Sequence, residues 1–255
     1  MAVFGSDRSS SEAWAGDDSP GRRCLIVNAD DFGASTGINR GIVECHRRGV
    51  VTSTSFMVTG RAAKEAAALS REHRDLSVGL HWDVWGEDER EFSMDDQWAV
   101  RDEFARQLDS FRDLIGRDPT HVDSHKHAHR DRHGRPLALF CELVEPLGVP
   151  LRGDGSVRLV GDFYAQWEWR RSDLGLVSVA SFQRLLADKV EAGWTEISCH
   201  PGFWSDDFIS VYLAEREEEV RTLTDARLQA SIEELGIELG SYFDYLGSIP
   251  VGRDR

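Results

Sequence analysis

Apolar and polar positions along this chain alternate between two periods. A continuous apolar run, Cys24-Leu25-Ile26-Val27, ends at Asn28 and is followed from Gly37 to Arg48 by apolar residues at helical spacing. Val50 to Val58 is rich in β-branched residues and predicts a second strand, and Ala62 to Arg71 predicts an alanine-rich helix. Leu76 to Val84 predicts a third strand, Val100 to Ile115 a helix, and Thr120 onward a fourth strand. A helix over Leu137–Leu147, a short strand over Val149–Arg152, a helix over Ser181–Ala192 and a strand over Thr195–Cys199 continue the rhythm. One long helix is expected over Leu213–Leu235, then strand or coil over Ile237–Leu246.

Such alternation predicts a parallel sheet with outer helices, either doubly wound or closed as a barrel, and both gather functional groups at the carboxyl ends of strands. At 255 residues the chain can bury one sizeable core. The expected organisation is a disordered tail over 1–22, a single domain over 23–247 and a short tail over 248–255. Two stretches break the rhythm. Asp83 to Asp113 holds eleven acidic residues against four arginines and begins as a loop. Gly153 to Arg171 is rich in glycine, aspartate and aromatics, including Trp167 and Trp169, and reads either as a lid over a site or as ordinary packing.

Acidic residues outnumber basic ones 45 to 30, for a formal charge of −15, and no basic stripe is present to track phosphates. Nucleic acid and anionic membranes are therefore not expected partners. Four widely spaced cysteines suggest neither a disulfide framework nor a zinc knuckle. No signal-like or membrane-spanning stretch is evident, so a cytoplasmic location is expected. Tryptophans at the surface would suit a sugar platform or a homodimer interface equally well.

The candidate chemistry begins at Asn28-Ala29-Asp30-Asp31-Phe32-Gly33, where two carboxylates stand at the end of the first strand. Neighbouring residues there point in different directions, so one can bind a cation while the other faces water; a solvated turn or helix cap is the plainer alternative. Five of nine histidines, His121, His125, His127, His129 and His133, fall within thirteen residues. If the fourth strand runs on to His129, four of these share a face with Asp123. A surface metal-binding tract is the competing reading. His81 and His200 each close another predicted strand. One carboxylate and two imidazoles, Asp31, His81 and His125, would make a facial set for a divalent cation, leaving Asp30 and His200 as an acid–base pair.

These blocks carry a resemblance. Leu25 to Gly33 with Gly37 to Ile42, Val51 to Thr54, Val78 to His81, and Thr120 to His129 resemble the YdjC-like (ChbG-type) carbohydrate deacetylases. Weaker agreement runs through Leu151-Arg152, Cys199 to Gly202, and Glu217–Leu223 to Gly240-Ser241-Tyr242. The resemblance implies a (β/α) barrel-like fold, a distorted TIM-type barrel with parallel strands and outer helices. It also implies metal-dependent removal of acetyl groups from N-acetylated sugars, with a small carbohydrate as partner. By motif, Asp31, His81 and His125 would hold one divalent cation, magnesium or zinc foremost. Asp30 would be the base and His200 the acid, with Arg152 orienting a carboxylate or a sugar hydroxyl. From the residues themselves, His127 and His129 are left either as supports behind the ligands or as substrate contacts, and Trp82 is expected to contact substrate. The chain departs from the pattern at Trp82 to Glu87, where relatives carry an apolar run. Rival functions are hydrolysis of another amide or of a phosphoester, and silent carbohydrate binding; the acidic 83–113 segment argues against phosphate.

Overall fold

The computed structural model describes residues 21–85, 93–166, 171–207 and 210–249. Its centre is a curled parallel sheet of seven strands: β1 (Arg23–Phe32), β2 (Ser53–Phe56), β3 (Ser77–Trp82), β4 (Val122–Ser124), β5 (Arg158–Val160), β6 (Gly193–Cys199) and β7 (Ile237–Gly240). They lie in the order β4-β3-β2-β1-β6-β5, with β7 also on β1. β7 pairs with Arg23–Ile26 and β2 takes over the same edge at Asn28, so β1 is bonded along both edges. Cys24 to Phe32 are also buried on both faces of the sheet, which explains the unbroken apolar run: a strand so covered has no polar side to show. The sheet is extended past β4 by a bridge from Val122 to Leu151, and β4 and β5 are not paired, leaving an open, barrel-like α/β fold.

Helices α1 (Thr36–Arg48), α2 (Ala63–Glu72), α3 (Gln97–Ile115), α4 (Ala138–Val144), α5 (Val179–Lys189), α6 (Ala214–Leu223), α7 (Ala226–Glu234) and α8 (Tyr242–Ser248) accompany the strands. α1 shows the logic. Ser35 Oγ accepts the Ile38 N–H at 3.1 Å, Ile38, Ile42 and Cys45 form the buried stripe, and His46-Arg47-Arg48 complement the carboxyl end of the helix dipole. The core fills the space between helices and sheet with Leu25, Val27, Phe32, Phe56, Phe111, Phe140 and Phe182. Because the strands are parallel, the ends of β1, β3, β4 and β6 all open on one side of the sheet.

Five expectations change. The helix expected over Leu213–Leu235 is two, because Asp225 turns its carboxylate onto the Arg227 N–H and starts α7 afresh. Val149–Arg152 contributes one bridge instead of a strand, and β5 arises inside the stretch that carries no clear period, read as a lid or as ordinary packing. Ile237–Leu246 divides into β7 and α8, the latter begun by a Ser241–Asp244 capping box. The fourth strand stops at Ser124, because Lys126 (φ 51°) and His127 (φ 52°) take the left-handed conformation and end the pairing. Phe163, in the stretch that reads either as a lid or as ordinary packing, is fully buried against Phe182, while the expected tails, the 86–92 part of the acidic loop, Trp167 and Trp169 lie wholly or mainly outside the described residues. No helix among the described residues is long and apolar enough to cross a membrane.

Candidate active site

Asp31, His81 and His125 come from the carboxyl ends of β1, β3 and β4 and place one donor atom each within 4.8 Å of the others. Asp31 sits at φ 71°, a left-handed conformation that aspartate tolerates better than bulky residues do, and one seen where function holds the backbone off its preferred path. Its Oδ1 lies 3.4 Å from His81 Nε2 and 3.1 Å from His125 Nδ1. On the far side of His81, Nδ1–H donates to Asp123 Oδ1 at 2.7 Å, which fixes the ring and turns Nε2 toward Asp31. Burial disfavours charge on His81, yet Asp123 and Asp31 outweigh it and hold its pKa well above the usual value. The donors fit a divalent cation: two imidazoles and a carboxylate face one another, and the imidazole of β3 has an acidic partner behind it.

A second group of similar composition, Asp30, His81 and Asp123, lies directly below. It already contains a protein cation. Arg152 Nη1 and Nη2 donate to Asp30 Oδ2 and Oδ1, both at 2.7 Å, in a two-pronged pair. The same guanidinium meets Asp123 Oδ2 at 2.5 Å and Glu196 Oε1 at 2.6 Å, and Tyr242 donates its hydroxyl to Glu196 Oε2. Ser55 adds a hydrogen bond to Asp123, and Asn28 one to Asp30. Burial raises the Asp30 pKa, but Arg152 more than reverses this, so the carboxyl stays ionised at neutral pH.

His200 follows β6 and brings Nε2 to 3.8 Å from Asp30 Oδ2. Burial pulls its imidazole down to about 4, so the ring is neutral at physiological pH and starts without the charge expected of a resting acid. Tyr164 packs edge-on against it, with ring centroids 5.5 Å apart, and stacks in turn on Tyr212. The backbone N–H of His200 donates to Glu219, whose other oxygen accepts the Tyr212 hydroxyl at 2.7 Å.

Of the expected substrate contacts, His127 is exposed near the cluster. Trp82 is fully buried against Phe140 at 4.9 Å: it follows His81 on a strand, so its side chain points to the opposite face, into the core. His129 is also fully buried, with Nδ1 on Ser124 Oγ and Nε2 on the Arg152 carbonyl, and Arg152 itself is enclosed by carboxylates. None of the three has surface to offer a sugar: Trp82 packs in the core, while Arg152 orients the Asp30 carboxylate and His129 supports Arg152 from behind, the alternative roles left open for these two. His121, on the same strand face as Asp123, stacks on Tyr242 at 3.9 Å and hydrogen-bonds Ser55. Sequence reasoning missed Arg216, Glu219, Glu196 and Tyr212. A signal existed for the first two: α6 reads Ala-Glu-Arg-Glu-Glu-Glu-Val-Arg, too polar for a buried helix, yet Arg216 and Glu219 are buried and one turn apart.

The open parallel α/β sheet with carboxylate and imidazoles at its strand tips defines the general class of this protein. Within that class the chain belongs to the YdjC-like protein family, whose profile matches residues 24–234. It is 36% identical over 256 residues to a chitooligosaccharide deacetylase of Serratia marcescens, spanning 87% of this chain and 99% of that protein. A chitooligosaccharide deacetylase of Salmonella heidelberg is 37% identical over 258 residues, with the same coverage. Among solved structures, an Enterococcus faecalis V583 protein assigned to cellobiose-phosphate cleavage superposes with a TM-score of 0.74 at 26% identity, over 87% of this chain and 98% of that one. A family 4 carbohydrate esterase from Streptomyces lividans shares the fold, with a TM-score of 0.53 at 14% identity over 86% of this chain and 93% of that one.

Proposed function

We propose that this protein is a metal-dependent hydrolase that removes the acetyl group from an N-acetylated amino sugar, either free or within an oligosaccharide or glycoside. The observation that carries the reading is the meeting of Asp31, His81 and His125 at the strand tips, with Asp30 and His200 beside them. Kinship with the two chitooligosaccharide deacetylases supports the choice of an acetylated amino sugar as substrate.

Asp31, His81 and His125 would hold one divalent cation, zinc or magnesium. When bound, it supplies Lewis acidity toward the amide carbonyl and acidity to a water molecule. Asp30, ionised and oriented by Arg152, accepts a proton at Oδ2 from the attacking water. His200 delivers a proton from Nε2 to the departing amine. Since the ring begins neutral, it must first gain a proton, and Asp30 Oδ2 at 3.8 Å is the carboxylate placed to pass one on. The Tyr164 ring covers one side of His200 and limits water there.

Acetate release from N-acetylated chito-oligosaccharides, measured on enzyme stripped by a chelator and then reloaded with zinc or magnesium, tests the reading. Release is expected only from the reloaded enzyme. Full release by stripped protein would refute metal dependence, and no release under any loading would refute the substrate class.

A further inference from the structure

The turn carrying His200 is tied to α6 at three points, in addition to the bond from the Phe203 N–H to the Gly37 carbonyl of α1. Glu219 on α6 accepts the His200 backbone N–H; Arg216 Nη1 donates to the His200 carbonyl at 3.1 Å; and the Arg216 carbonyl accepts the Gly202 N–H at 3.3 Å. The same guanidinium reaches the strand-tip cluster, where Nη2 donates to Asp31 Oδ2 at 2.5 Å. Its Nε is buried without a hydrogen-bond partner among the described residues, so the two terminal nitrogens alone aim the group. Asp31 therefore has Oδ2 occupied by a protein cation, while Oδ1 faces His81 and His125.

We propose that Arg216 is a positioning residue that reserves Asp31 Oδ2, so that Asp31 offers a metal ion one oxygen only, and that its charge keeps the ion from being gripped too tightly. The inference rests on Asp31, His81 and His125 being the ligands. Two cations sharing one buried carboxylate repel each other, and a carboxylate already bound to a guanidinium gives less charge to its second partner. An ion that receives less charge from its ligands stays a stronger Lewis acid. Arg216 thus links the grip on the ion to the turn that places His200. An ordinary buttress of a ligand would act with the opposite sign, because its loss loosens the metal.

Cobalt(II) affinity, titrated against a chromophoric chelator on the full chain, reads the difference directly. Arg216→Met and Arg216→Gln are expected to bind cobalt roughly tenfold more tightly than the wild type, and Arg216→Lys, whose shorter arm holds the charge farther back, about threefold more tightly. Unchanged or looser binding in the neutral variants overturns the proposal. If neither neutral variant folds, Arg216→Lys decides by the same rule. Asp31→Asn separates the two layers of inference: wild-type cobalt affinity in that variant would sink the ligand assignment itself, independently of Arg216.

Discussion

Two clusters of acids and histidines lie one above the other at the carboxyl ends of the strands, alike in composition and unlike in consequence. In the lower one, Arg152 occupies the centre and Asp30, Asp123 and Glu196 surround it, so every charge meets its partner inside the protein. In the upper one, Asp31, His81 and His125 turn donor atoms toward one another, and the nearby guanidinium of Arg216 takes only the outer oxygen of Asp31. The difference teaches that residue types alone do not mark a cation site. Position of the arginine does: where it fills the centre, the acids become a rigid support, and where it stands aside, they can receive a cation from outside.

The comparison can be broken at either layer. The largest effect is expected from His125→Ala, which removes an upper donor: activity should fall to background together with bound metal, while the melting temperature of the metal-free protein stays close to wild type. Loss of fold along with activity would mean that the upper layer, too, is structural. Next comes Asp30→Asn, which bridges the layers. It should keep the metal but lower kcat by about 10²–10⁴-fold, the range for losing a general base; a rate near wild type would remove Asp30 from the chemistry.

Arg152→Met should destabilise the protein by about 3–5 kcal/mol in chemical denaturation, since it leaves three buried carboxylates without their cation. A stable Arg152→Met protein would show that the lower layer tolerates an empty centre. The smallest effect concerns Glu219. Burial lifts its carboxyl to about 8, so between roughly pH 4.5 and 8 the native state keeps a proton that the unfolded chain has released. The stability this gives is complete below about pH 4.5 and fades as pH rises through 8. Glu219→Gln should accordingly melt near wild type at pH 5 and several degrees higher at pH 8.5. An equal offset at both values would count against a buried, protonated Glu219.

Much of the upper layer was legible because each member lies where a predicted strand meets its following loop, and parallel topology carries Asp31, His81, His125 and His200 to one side of the sheet. Trp82 was misplaced by neglecting the alternation of side chains along that same strand. His129 was assigned by extending strand parity past Ser124, through the two left-handed residues Lys126 and His127 that nothing in their identity announces. The lower layer was harder. Arg152 and Glu196 are 44 positions apart, and Arg152 and Asp30 are 122 apart, so their pairing depends on tertiary contacts that no local pattern encodes. The break before α7 was within reach: Thr224-Asp225 interrupts the helical stripe with a residue suited to capping.

One feature of α1 bears on how this molecule can vary. Gly37 and Gly41 lie one turn apart, and a β-carbon on either would strike the main chain of Phe203 or Gly202, so the turn after His200 rests on bare helix backbone. Main chain against main chain thus sets the spacing between α1 and the turn that follows His200. The outward residue Trp204, 60% exposed, is therefore free to be exchanged for other shapes while the ring of His200 keeps its station.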